Sequence, residues 1–312
     1  MLRRTLALVA AGLAATLGAA CGDAGANPAS EGKVDVVVAF YPLQFVAERV
    51  GGDAVAVTNL AKPGAEPHDL ELSPKQVGEI SDAGLIVYLK GFQPQVDEAI
   101  AQQGGDRAFD VATVTPLRDA AEDAHVHEGE PGGEHAEEAG GKDPHVWLDP
   151  TRLATIGDAL AARLGAIDPA GATGFTTRAA ALRTHLEALD REFTDGLATC
   201  QRREIVTSHA AFGYLAARYD LDQVGITGLS PDAEPTAQRL AEVAEEAREH
   251  HATTIFFETL VSPKVAETIA REVGADTAVL DPIEGLQPGS TGDYLSVMRS
   301  NLAVLRPVLG CS

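Results

Sequence analysis

FTTRAAALRTHLEALDREFTDGLATC, from Phe175 to Cys200, is a run of good helix formers in which alanine and leucine recur and no strand pattern appears. It offers about seven helical turns. The run lies in the middle of a 312-residue chain, and the pattern on its two sides is different from its own. The reading is therefore a single long helix that carries the chain from one folded half to another.

Before this helix, short β-branched runs alternate with amphipathic segments: VDVVVAF then PLQFVAERVGG, DAVAVTNL then SPKQVGEISDAG, LIVYLKGF then QPQVDEAIAQQG, and a weaker AFDVATV. After Cys200 the rhythm restarts with REIVTS, LDQVGIT, TTIFFET and DTAVLDP, each followed by a helical pattern, the last being DYLSVMRSNLAVLRPVL. Strands and helices alternating at this spacing predict parallel sheets with right-handed crossovers. The expected fold is α/β, with two lobes, each a mainly parallel four-stranded sheet flanked by helices, joined by the single long helix. Expected boundaries are a signal peptide at 1–20, a flexible tether at 21–32, an N-terminal lobe at 33–150, a helical connector at 151–199 and a C-terminal lobe at 200–312. With 45% hydrophobic residues the chain is long enough for two cores. A helical connector is stiff, so large hinge closure is not expected.

The formal net charge of -22 argues against nucleic acid and anionic membrane surfaces as partners and suits a cationic ligand. Arg3 and Arg4, a largely apolar stretch from Leu6 to Ala20, and then Cys21 before GDAGANPASEG read as an export signal that ends at a lipidated cysteine. The apolar stretch is short for a permanent transmembrane helix. An extracytoplasmic protein anchored to the membrane through Cys21 follows, with a free periplasmic or secreted protein as the alternative. In that oxidising setting Cys200 and Cys311 are expected to form a disulfide.

In an open α/β sheet, ligands bind beyond the carboxyl ends of the strands. Four candidate metal ligands fall in such places: His68 in AKPGAEPHDLELSP, His145 in KDPHVWLDP, His209 after EIVTS, and Asp281 after TAVL. Two come from each half, which predicts a site between the lobes. Pro67, Pro144 and Pro150 limit backbone freedom around His68 and His145, as preorganised ligands require. Glu66 and Glu258 are nearby acids expected to support the ligands by hydrogen bonding, and Glu66 competes with Asp281 for the carboxylate position. The stretch AHVHEGEPGGEHAEEAGGKDPHVW, Ala124 to Trp147, holds three more histidines, His125, His127 and His135, on an acidic, glycine-rich loop at 119–143 with almost nothing to bury. These three are expected to form an accessory, weaker metal loop, whereas His145 belongs with the rigid Val146 and Trp147.

The segments PHDLELSP, DPHVWLDP, TSHAAFGYLAARYDL and VLDPIEGL resemble signature segments of the cluster A-I solute-binding lipoproteins that serve bacterial ABC transporters for zinc and manganese. The resemblance spans nearly the whole mature chain. It implies two α/β lobes joined by one long helix, a metal held in the cleft by His68, His145, His209 and Asp281, and an ABC permease as partner; a monomer without enzymatic activity is expected. Members that resemble manganese binders carry a glutamate where this chain has His209. Three imidazoles and one carboxylate favour Zn2+ as the transported ligand, with Mn2+ as the second candidate. The alternatives are a manganese- or iron-binding member of the family and, from a different class, a zinc-dependent hydrolase. Against the latter, four protein ligands leave no position for a catalytic water, and no HExxH or GxSxG phrase occurs.

Overall fold

The structure is a computed structural model that describes residues 32–120 and 141–312. The signal peptide, Cys21 and its tether as far as residue 31, and the loop histidines His125, His127 and His135 lie outside the described residues.

The chain builds two four-stranded sheets, parallel throughout. The first contains β1 (Val34–Val38), β2 (Val55–Asn59), β3 (Leu85–Tyr88) and β4 (Ala108–Asp110) in the order β2-β1-β3-β4. The second contains β5 (Glu204–Thr207), β6 (Asp222–Gly225), β7 (Thr254–Phe257) and β8 (Asp276–Val279) in the equivalent order β6-β5-β7-β8. The four apolar runs expected on each side of the middle section are therefore the strands. Helices cover both faces of a parallel sheet, so its inner strands read as unbroken apolar runs. Val36 to Val38 and Leu85 to Val87 accordingly lie almost wholly inside.

Between the strands run α1 (Tyr41–Gly51), α2 (Pro74–Asp82) and α3 (Pro94–Gln103) in the first half, then α6 (Gly213–Tyr219), α7 (Ala237–Glu249), α8 (Lys264–Val273) and α9 (Tyr294–Leu309) in the second. Proline in the first turn of α1, α2 and α3 sits where a helix has no use for the missing N–H. Ser73 closes a reciprocal capping box with Gln76 at the start of α2.

The helical middle section is a hairpin of two helices, and the expected long linking helix is its second member. α4 (Pro150–Ile167) begins at Asp149, whose side chain caps Thr151 N–H, and a short turn leads into α5 (Ala172–Leu197). The 26 residues of α5 span about 39 Å. Its buried stripe, Phe175, Ala179, Leu182, Leu186, Leu189, Phe193 and Leu197, repeats at intervals of three and four residues and faces α4, α1, α6 and α9.

That stripe explains a departure from the expected pair of separate cores. One continuous apolar cluster runs from β1 and β3 through α4 and α5 into α6 and α9, and a smaller one lies around Val206, Ile226, Val243, Ile255 and Ile269 in the second half. The connector shares its apolar surface with both halves. At its end Cys200 forms a disulfide with Cys311, joining the exit of α5 to the last residues after α9.

Candidate metal centre

Both sheets present their carboxyl ends to the same seam, and the loops leaving those ends carry the charged and imidazole groups. His68 stands in the loop after β2. Its backbone N–H donates to the Glu66 carboxylate (3.0 Å), Gln93 Nε2 donates to Pro67 O (3.0 Å), and the Phe92 ring meets the imidazole edge-on at 4.6 Å. His145 precedes a short 3-10 turn, Val146–Leu148, and is fully buried. His209 follows β5 directly and is 1% exposed.

The fourth group is Glu284, on the loop after β8, with no exposed surface. Glu284 Oε1 lies 3.3 Å from His68 Nε2, 3.2 Å from His145 Nε2 and 3.2 Å from His209 Nε2. The Nε2 atoms of His145 and His209 are themselves 3.3 Å apart. An ion bound at about 2.0 Å by four atoms at tetrahedral corners sets those atoms about 3.3 Å apart, which is zinc's preferred arrangement with nitrogen and oxygen ligands. The four separations match that edge.

The rings are turned by their other nitrogens. His145 Nδ1 is 2.8 Å from Asp143 Oδ1, which also accepts the His145 backbone N–H, and His209 Nδ1 is 2.8 Å from Glu258 Oε1, which also accepts from Ser208 Oγ. A carboxylate behind Nδ1 holds the proton there and leaves the Nε2 lone pair to face the centre. Glu284 Oε2 is buried without a hydrogen-bond partner among the described residues, so a second oxygen is available beside the first.

Burial opposes charge on every member, and the neighbours decide the outcome. His209 would be lowered by burial, but Glu258 and Glu284 push it up to about 10. His145 is also raised, because Asp143 and Glu284 outweigh its burial. His68 is lowered, burial being the larger effect. Burial would raise Glu284, yet the imidazoles around it, His209 foremost, hold it well below the usual carboxylate range. Carboxylates thus face the imidazoles from several sides, and once the rings give up their protons they offer the Nε2 lone pairs that a buried divalent cation requires.

The structure thus brings His68, His145 and His209 together, and it corrects the expected carboxylate. Asp281 is not in the cluster. Its Oδ1 accepts the Ile283 backbone N–H (2.7 Å) and its Oδ2 accepts from Thr259 Oγ1 (2.9 Å), so its oxygens are spent on the turn it begins. Aspartate two residues before a free N–H, with Pro282 between, is a turn former. That signal in VLDPIEGL points to Glu284 as the acid left over. Glu66 is also outside the cluster: its carboxylate faces the His68 N–H, and burial together with Glu284 pushes it up to about 8. With the exposed Asp69 and Asp232 it forms a second acidic group at the cleft mouth. Glu258 stands behind His209 as described. His250 pairs with Glu204 on the surface, away from the seam.

Two α/β lobes of equivalent strand order, with three imidazoles and a carboxylate converging between them, define the class of two-lobed solute-binding proteins. The chain belongs to the ZnuA family, whose description is "Zinc-uptake complex component A periplasmic", matched over residues 36–307. It is 36% identical over 312 residues to the zinc-binding lipoprotein AdcA of Streptococcus pneumoniae, covering 97% of this chain and 60% of that protein. It is 34% identical to the high-affinity zinc uptake system protein ZnuA of Bacillus subtilis, covering 93% of each. The crystal structure of the Zn(II)-bound ZnuA-like domain of Streptococcus pneumoniae AdcA superposes with a TM-score of 0.73 at 35% identity, covering 89% of this chain and 99% of that one. The chain therefore spans about three fifths of the length of its pneumococcal relative.

Proposed function

We propose that this protein is the extracytoplasmic zinc-binding component of an ABC importer, which captures Zn2+ at the seam between its lobes and hands it to a membrane permease. The ligands are His68, His145, His209 and Glu284. The observation that carries the reading is the convergence of three Nε2 atoms on Glu284 Oε1 at 3.2–3.3 Å. Three neutral imidazoles and one carboxylate suit zinc better than manganese, which prefers oxygen-rich sets. Four protein ligands close a tetrahedral zinc shell and leave no position for a reactive water, which favours capture over hydrolysis. The names of the pneumococcal and Bacillus relatives support the same substrate.

The reading also keeps two expectations from the sequence. Cys21 is the lipidated anchor, checked by mass spectrometry of the exported protein. His125, His127 and His135 form a weaker accessory site, checked by deleting residues 124–141 and counting bound ions, with an unchanged count refuting it. The main test is calorimetric titration of the metal-stripped chain lacking residues 1–20 with Zn2+ and with Mn2+. The expected result is a tight zinc site, weaker manganese binding, and loss of the tight site in Glu284→Gln. Equal affinities for the two metals would refute the zinc assignment.

A further inference from the structure

Three non-glycine residues among those described have positive φ: Asp220, His251 and Ile283. Asp220 and His251 follow the ends of α6 and α7, where a left-handed residue commonly terminates a helix. Ile283 is different. It is β-branched, lies at no helix end, has φ +60°, and its side chain is wholly buried. A branched residue keeps that conformation only when its surroundings over-determine it, and such residues gather at functional sites. The next residue is Glu284.

The surroundings are specific. Asp281 Oδ1 accepts the Ile283 N–H at 2.7 Å, while Thr259 Oγ1 donates to Asp281 Oδ2 and fixes the carboxylate plane. The buried Asn301 on α9 grips the Asp281 backbone from both sides, accepting its N–H on Oδ1 (3.0 Å) and donating from Nδ2 to its carbonyl (2.7 Å). Trp147 Nε1 donates to Pro282 O at 2.7 Å, and Trp147 is two residues after His145. The backbone from Asp281 to Ile283 is therefore held by the second lobe, by α9 and by the turn that carries another cluster histidine. In an extended conformation Ile283 would send the Glu284 side chain in a different direction.

We propose that Asp281 is a positioning residue: it holds Ile283 in the left-handed conformation and so aims the Glu284 carboxylate at the cation before the cation arrives. This rests on the zinc-site reading above. What Asp281 supplies is a hydrogen-bond acceptor, not a charge, and that separates its role from ligation. Asparagine offers the same acceptor at the same place, serine a shorter one of the same turn type, and alanine none.

The experiment is zinc affinity, measured by competition with a chromophoric chelator, for the wild-type chain and for Asp281→Asn, Asp281→Ser, Asp281→Ala and Glu284→Gln, with amide hydrogen exchange at Ile283 read on each metal-free protein. The expected order is Asp281→Asn within about threefold of wild type, Asp281→Ser intermediate, and Asp281→Ala weaker by about 10- to 100-fold, the usual cost of losing a group that orients a ligand. Ile283 exchange accelerates in Asp281→Ala and not in Asp281→Asn. If Asp281→Ala does not fold, the order of the asparagine and serine variants decides the matter. An Asp281→Asn protein as weak as Asp281→Ser or Asp281→Ala would mean that the charge itself is needed, and an Asp281→Ala protein equal to wild type would mean that nothing is positioned; either overturns the proposal. Wild-type affinity in Glu284→Gln would instead overturn the zinc-site reading, and this proposal with it.

Discussion

His145 and His209, from opposite halves of the chain, point their Nε2 atoms at each other across 3.3 Å, while each Nδ1 is backed by a carboxylate, Asp143 for one and Glu258 for the other. Two lone pairs at that separation repel unless a proton or a metal ion lies between them. A proton between them is the expectation when zinc is not bound. Burial would lower His209, but Glu258 and Glu284 push it up to about 10, which favours that proton at neutral pH.

Zinc must displace that proton. Titrations at pH 7 in buffers of different ionisation enthalpy should show release of at least one proton per zinc bound, and zinc affinity should rise as pH rises towards 10. The same shift acts on the metal-free fold with the opposite sign. A histidine raised on folding contributes stability that is complete below its unfolded value near 6.5 and is lost as pH rises through about 10. Thermal melts of metal-free protein should therefore show this contribution fading between those limits, and a zinc-binding enthalpy at pH 7 that is the same in every buffer would contradict the account.

The groups behind the ligands are open to a separate test. Removing the acceptor in Asp143→Ala or Glu258→Ala frees the His145 or His209 ring to turn, and affinity at the tight zinc site should fall by about 10- to 100-fold with the number of bound ions unchanged from wild type. Chelator competition measures the affinity and elemental analysis the stoichiometry.

Much of this was legible in the sequence, and the failures have physical causes. The strands were readable because a parallel sheet covered on both faces leaves its inner strands no polar alternation, as in VDVVV and LIVY. The three histidines were readable because each sits just past a strand or between prolines. Asp281 misled because it stands at the same kind of strand exit, and only the turn geometry shows that its oxygens are taken by Ile283 and Thr259. The shared core was not legible for a similar reason: the apolar stripe of α5 marks which face is buried, not that α1 and α9 from different halves bury it together.

The disulfide ties the exit of α5 to the chain end after α9 across a sequence separation of 111 residues. Cross-links that close long loops restrict the unfolded chain most, so the Cys200→Ser, Cys311→Ser double variant should lose about 2–4 kcal/mol of stability. Denaturant unfolding under oxidising conditions checks this, and an unchanged midpoint would refute it.

A polar link holds α5 to α6. Asp190 accepts from Arg218 through both oxygens, at 2.6 and 2.8 Å, and from Tyr219 Oη at 3.1 Å. The Arg218 guanidinium holds the Asp190 carboxyl below its ordinary value despite partial burial. A depressed carboxylate contributes stability above its unfolded value of 3.8, and that contribution is lost as pH falls below it. Because the pair is partly solvent-screened, Asp190→Asn should cost only about 1 kcal/mol at pH 7, with the difference from wild type shrinking below pH 4.

The central claim is that one zinc ion is held by three imidazoles and the Glu284 carboxylate in a closed tetrahedral shell. X-ray absorption at the zinc edge on the protein loaded with one equivalent of metal tests it most directly. The account predicts four nitrogen or oxygen neighbours at about 2.0–2.1 Å, with the outer-shell scattering of three imidazoles. A shell of five or six light neighbours, or scattering from only one or two imidazoles, would contradict it.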